Sequence, residues 1–257
     1  MNVIDLMIDG FKKVYSGKNI LLKHLLMFII IAILSIATVN VQIIADTIEK
    51  TKELTNISQL FIYLGITILI GIYTGGYNLL FSHNSFDKEN KDIFPDINFI
   101  PFKVFFKTLP IMIVWFIYVL IAIFFSIALM SNKSLLLILG IFIFLFILFL
   151  CAFINFVYIA YLKNFDSKGL YNITLPFKYM KYSFSDFVLL GLLFIPVYGV
   201  AMTPSFIVGL LFGLIGIKTI NVLYIGAILG GYLGFIVQIV WYYCLVQIYR
   251  DKIDPNL

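Results

Sequence analysis

Charge is scarce in this sequence: Asp, Glu, Lys and Arg make up 12% of 257 residues, while 62% are hydrophobic. A soluble domain carries roughly 25% charged residues to cover its surface, so a globule surrounded by water is excluded. Cysteine is almost missing as well. Cys151 and Cys244 both sit inside apolar runs, which excludes a disulfide framework and leaves buried packing thiols. There are only two histidines, with no acidic cluster beside them, and so no expected metal site. His24 next to Lys23 reads as an interfacial anchor, and His83 as a loop residue. No H-E-x-x-H, G-x-S-x-G or Walker loop occurs, so neither an enzyme nor a cofactor is expected. All 13 acidic residues lie outside the long apolar runs, which removes the usual mark of proton or ion coupling.

What the sequence has instead is apolar length. A helix needs about 20 apolar residues to cross the hydrocarbon core. Six runs meet that requirement, at roughly 20–41, 60–80, 108–130, 135–161, 187–217 and 222–249. The strict alternation of a membrane β-barrel is absent. The expected fold is an all-α, polytopic transmembrane bundle, a single membrane domain over 1–257. The first run is too long for a signal peptide and no small-x-small site follows it, so it reads as the first span. The fifth run contains Pro196 and Pro204, which predict a kinked or broken helix and a candidate hinge. A seven-span count would split this run in two.

Lys and Arg give the bundle a direction. Fourteen of the eighteen fall at the N-terminus, in the second and fourth loops and at the C-terminus; Lys50, Lys52, Lys133 and Lys218 fall on the other side. The positive-inside rule then places both termini in the cytoplasm, here of a prokaryotic plasma membrane. The same bias explains the net charge of +5 without a nucleic-acid partner.

Three basic segments also carry apolar stripes at helical spacing. These are Val3, Met7, Phe11 and Val14; Phe102, Phe105, Phe106 and Leu109; and Leu170, Ile173, Phe177, Met180, Phe184 and Phe187. Each reads as an amphipathic helix in the cytoplasmic interface ahead of a span. They share a signature, in Gly10-Phe11-Lys12, Pro101-Phe102-Lys103 and Pro176-Phe177-Lys178. The chain therefore reads as three units, about 1–80, 95–161 and 170–249, each an interfacial helix followed by a two-span hairpin.

Small and polar residues within the spans supply the remaining candidates. Gly226, Gly230 and Gly234 repeat every four residues, as do Gly71 and Gly75, and are candidate helix-packing positions. Thr67, Ser126, Asn155 and Gln238 are the polar side chains at depth, and Asn155 with Gln238 form a candidate polar cavity. Gly75-Gly76-Tyr77, Phe94-Pro95-Asp96, Tyr158, Tyr161-Leu162-Lys163 and Phe184-Ser185-Asp186-Phe187 follow a layout that resembles an uncharacterised prokaryotic membrane family known as domain of unknown function 4013. A glycine usual after that family's amphipathic stretch is missing from Phe105-Phe106-Lys107. The resemblance implies a multi-span membrane protein and no activity. The expected role is a non-enzymatic scaffold or accessory subunit that contacts membrane lipids or a membrane-protein partner. The alternative is a transporter or permeation pathway for a small neutral or lipid-like solute. Cysteines introduced at Lys91 and Lys168 are expected to label from the cytoplasm and one at Lys50 from outside; outside labelling at Lys168 overturns the six-span topology.

Overall fold

The computed structural model describes residues 2–52, 56–87, 90, 92–130, 135–214 and 219–256. Glu53, Lys88, Glu89, Lys91, Lys133 and Lys218, used above for topology, lie outside the described residues. The fold is helical throughout these residues, in the order α1 (Val3–Val14), α2 (Ile20–Thr51), α3 (Ile57–Asn84), α4 (Ile100–Met130), α5 (Leu135–Asn164), α6 (Leu175–Leu214) and α7 (Thr219–Ile248). A π turn over Tyr249–Ile253 and a short 3-10 turn over Asp254–Asn256 follow. Six of the helices are long and apolar enough to cross a membrane. At 32 residues α2 is about 48 Å long, longer than the roughly 30 Å hydrocarbon core.

The three amphipathic segments fold in two ways. α1 is a separate helix, started by Asn2, whose side chain accepts from the Ile4 N–H at 3.3 Å. It ends because Gly17 and Asn19 adopt positive φ, which turns the chain sharply into α2. The second and third segments are not separate helices. The second forms the first turns of α4 and the third, from Phe177 onward, the first turns of α6, both continuous with the spans, while Leu170 and Ile173 lie in the turns before α6. α6 likewise runs unbroken through Pro196 and Pro204. The prolines cost it the backbone bonds to the Leu192 and Val200 carbonyls without ending it. The broken fifth helix and the seven-span alternative are thereby corrected.

The hairpins α2–α3, α4–α5 and α6–α7 stand in a closed ring, with α3, α5 and α7 inside. Each amphipathic segment, here termed a leader, leans on the inner helix of the preceding hairpin. On α7, Val240 and Tyr243 crowd Gly10 of α1. The α3 residue Tyr73 packs on Phe102 of α4. On α5, Phe156 packs on Tyr179 and Phe187 of α6. The largest fully buried side chains, among them Tyr77, Phe81, Phe94, Phe153, Phe156 and Tyr179, all belong to this leader-bearing half of the bundle. In the other half Phe124, Phe142 and Phe206 are each 68% exposed, as lipid-facing side chains are.

The tightest helix contact falls at a glycine that spacing did not single out. A Cβ on Gly76 would overlap the Pro101 carbonyl oxygen, whereas one on Gly71 would meet nothing within 4 Å. Gly75 is intermediate, 3.5 Å from the Phe105 ring. On α7, a Cβ on Gly230 would stand 2.7 Å from Ser205 Oγ, one on Gly234 3.3 Å from Met202 Cε, and one on Gly226 3.7 Å from the Ser205 carbonyl oxygen. All three glycines therefore face α6, and Ser205 Oγ donates to the Gly226 carbonyl at 2.9 Å. Substituting Gly76→Ala is expected to destabilise the detergent-solubilised protein by about 1–3 kcal/mol, the usual cost of overpacking. Gly71→Ala should leave the midpoint of thermal unfolding close to that of the parent, and equal loss in both variants overturns the assignment.

Candidate functional site at the basic end

Polar side chains gather where the leaders, the α3–α4 connection and the C-terminal turn meet. The organising group is Lys23, three residues into α2 and 8% exposed at its side chain. Its Nζ pairs with Asp92 at 2.7 Å and Asp96 at 3.0 Å, and donates to the Phe94 carbonyl at 2.8 Å. A buried ammonium needs such partners to offset its lost hydration. The α3–α4 connection is thereby drawn into the bundle. Tyr77 donates to the Pro95 carbonyl at 2.6 Å and Asn84 to that of Ile93 at 3.2 Å. Ile93 and Phe94 are fully buried.

His24 lies beside this clamp. Its Nε2 is 3.0 Å from the Val14 carbonyl and its Nδ1 2.7 Å from the Tyr232 hydroxyl. A carbonyl only accepts, so Nε2 carries the proton, and in the neutral ring Nδ1 accepts from Tyr232. The imidazole stacks on Tyr15 and packs against Phe94. It joins α1, α2 and α7 in one contact, which goes beyond an interfacial anchor. His83 is not a loop residue: it occupies the last turn of α3, where Nδ1 donates to the Leu162 carbonyl at 2.7 Å.

Between α1, the end of α3 and the end of α7 lies a polar cavity of about 420 Å³. Asp9, Lys13, Asp87, Tyr243, Gln247 and Arg250 contribute to its walls. Tyr243 donates to Asp9, and Gln247 Nε2 donates to the Ser85 carbonyl at 2.9 Å. An adjoining cleft of about 590 Å³ shares Asp9 and Lys13 and adds Lys12, Lys18 and Asp92. Both signs of charge are present with donors and acceptors, so this end can hold a polar or zwitterionic group. The proton of each cavity hydroxyl is engaged, Ser85 Oγ donating to the Phe81 carbonyl and Tyr243 to Asp9. No group of three or more His, Cys, Asp or Glu in a metal-binding arrangement occurs among the described residues.

The candidates at depth are placed differently. Asn155 is half-buried on α5 and donates to the Ala152 carbonyl of its own helix at 3.0 Å, while Gln238 points outward from α7 and is exposed. Ser126 donates to the Ala122 carbonyl at 2.8 Å. Three buried side-chain oxygens on α3, those of Thr67, Tyr73 and Asn78, have no hydrogen-bond partner among the described residues. Cys151 and Cys244 are free thiols, half-buried and buried respectively.

An all-α bundle with six membrane-length apolar helices defines a multi-pass membrane protein. No family model, curated protein or solved structure matches the chain. Removing the clamp by Lys23→Met is expected to free the α3–α4 connection, at a cost of roughly 1–3 kcal/mol for the unpaired polar groups left behind. Limited proteolysis of the folded protein should then cut within 86–99 at least several times faster. Unchanged cleavage means that Phe94 burial alone seats the loop.

Proposed function

We propose that this protein is a non-enzymatic scaffold or accessory subunit of a prokaryotic plasma membrane. In this reading its basic end faces the cytoplasm and contacts lipid headgroups or a membrane-protein partner. Kinship with domain of unknown function 4013 belongs to the same proposal and adds no activity to it. The observation that supports the reading is where the polar groups are used. At the basic end they tie loops and leaders to the bundle and leave a mixed-charge cavity (Asp9, Lys13, Arg250) open at the surface. At depth, Ser126 and Asn155 bond to backbone carbonyls of their own helices, and Ser205 and Tyr224 bond across helices to the Gly226 carbonyl and Asn40. The surface at the basic end, with charges of both signs around an open cavity, is the part equipped to recognise something.

A second reading, a pathway for a small neutral solute, is favoured by one observation. Thr67 and Asn78 are eleven residues apart, which puts them on one face of α3 within about 20°, and both carry a buried oxygen with no hydrogen-bond partner among the described residues. Purification of the full chain in mild detergent is expected to recover a stoichiometric membrane partner, lost on charge reversal at Lys12 and Lys18. Recovery of the protein alone, together with a solute flux in proteoliposomes that disappears on Asn78→Leu, reverses the order of the two readings.

A further inference from the structure

Phe11, Phe102 and Phe177 hold the same place in the three repeated tripeptides. Each of these rings lies at the rim of an apolar groove, and the three grooves are built alike. The first, about 350 Å³, runs between α6 and α7, walled by Pro196, Val200, Leu233 and Val237 and closed by Phe11 and Tyr15 of α1. A second, also about 350 Å³, runs between α2 and α3, walled by Ile30, Ile33, Leu69 and Ile70 and closed by Phe102. The third, about 140 Å³, runs between α4 and α5, walled by Val119, Ala122, Leu150 and Ile154 and closed by Phe177. In every case the walls are the two helices of one hairpin and the rim is the leader of the next hairpin round the ring. The residue after each phenylalanine is an exposed lysine: Lys12, Lys103 or Lys178.

We propose that these are three equivalent binding sites for anionic phospholipid, each holding an acyl chain in its groove with the phosphate beside the adjacent lysine. The walls are span residues, open sideways and almost wholly apolar, so they suit hydrocarbon rather than water. An acyl chain is one methylene wide and can lie lengthwise along a shallow apolar groove between two helices. The lysines supply the other half of the recognition, since a basic side chain near the headgroup layer draws anionic lipid. Each lysine is next in sequence to a rim phenylalanine, and its long stem extends the reach of the charge from that position. This capture deepens the lipid-contacting side of the proposed reading, and the tryptophan variants, which leave the basic face unchanged, tell its failure from that of partner recovery.

The test is native mass spectrometry of the full chain released from vesicles of equimolar phosphatidylcholine and phosphatidylglycerol. The expected result is three retained phospholipids, enriched in phosphatidylglycerol. Filling one groove at a time, by Ala201→Trp, Ile70→Trp or Ala122→Trp, should remove one lipid each. Reversing Lys12, Lys103 and Lys178 to Glu should lower the phosphatidylglycerol preference by about fivefold per site while lipids are still retained. Photo-crosslinking of the parent protein with a diazirine-bearing phosphatidylglycerol supplies a readout that needs no variant, and its adducts should map to the three groove walls. Retention of the same number of lipids by the tryptophan variants, or adducts spread evenly over the outer surface, overturns the proposal.

Discussion

Contact between each leader and the inner helix before it turns three hairpins into one bundle. Lipid is as apolar as leucine, so helices in a membrane gain little from excluding it and associate through close packing and hydrogen bonds. The leaders supply both. Pro101 meets the backbone of α3 at Gly76, and Gly10 lets α1 settle against Val240 and Tyr243. Tyr161, near the end of α5, donates to the Lys107 carbonyl on the leader turns of α4 at 2.9 Å. The polar cavity, the buried connection and the three grooves all depend on where these contacts put the leaders.

Charge at this end has two uses that pull against each other. Lysines outside the spans carry the orientation bias read from the sequence and, in the proposed reading, meet anionic headgroups. Lys23 instead turns inward to Asp92 and Asp96, and Lys163 pairs with Asp254 at 2.6 Å. Ion pairs this close to the membrane hold the connections in place, while exposed Lys12, Lys103 and Lys178 remain on the outer rim.

The spans were legible because an unbroken apolar run of that length has one plausible environment. The leaders were legible as stripes, but not their continuity with α4 and α6: an amphipathic stretch and an apolar stretch join smoothly wherever no glycine or asparagine takes positive φ. Glycine spacing pointed to Gly71 and Gly75, yet the close approach is at Gly76, because spacing identifies a face and cannot say where the neighbouring backbone crosses it. Lys23 was counted as an orientation signal; its partners lie 69 and 73 positions away, and only the three-dimensional course of the α3–α4 connection joins them. A lysine three residues inside an apolar run, with two aspartates around Phe94-Pro95 later in the chain, was the available hint. Asn155 and Gln238 looked alike as polar residues at depth, but one turns to its own helix and the other outward.

The uneven burial along the bundle axis has a mechanical side. One end is riveted by aromatic side chains, ion pairs and a buried connection; at the other, large side chains such as Phe124, Phe142 and Phe206 face outward and the helices meet at fewer points, among them Gly140 against the α4 backbone and Tyr224 donating to Asn40 at 2.8 Å. A bilayer thinner or thicker than the helices must be accommodated by tilt or by local deformation. The basic end, with its denser packing of large side chains, is the end less free to make that adjustment.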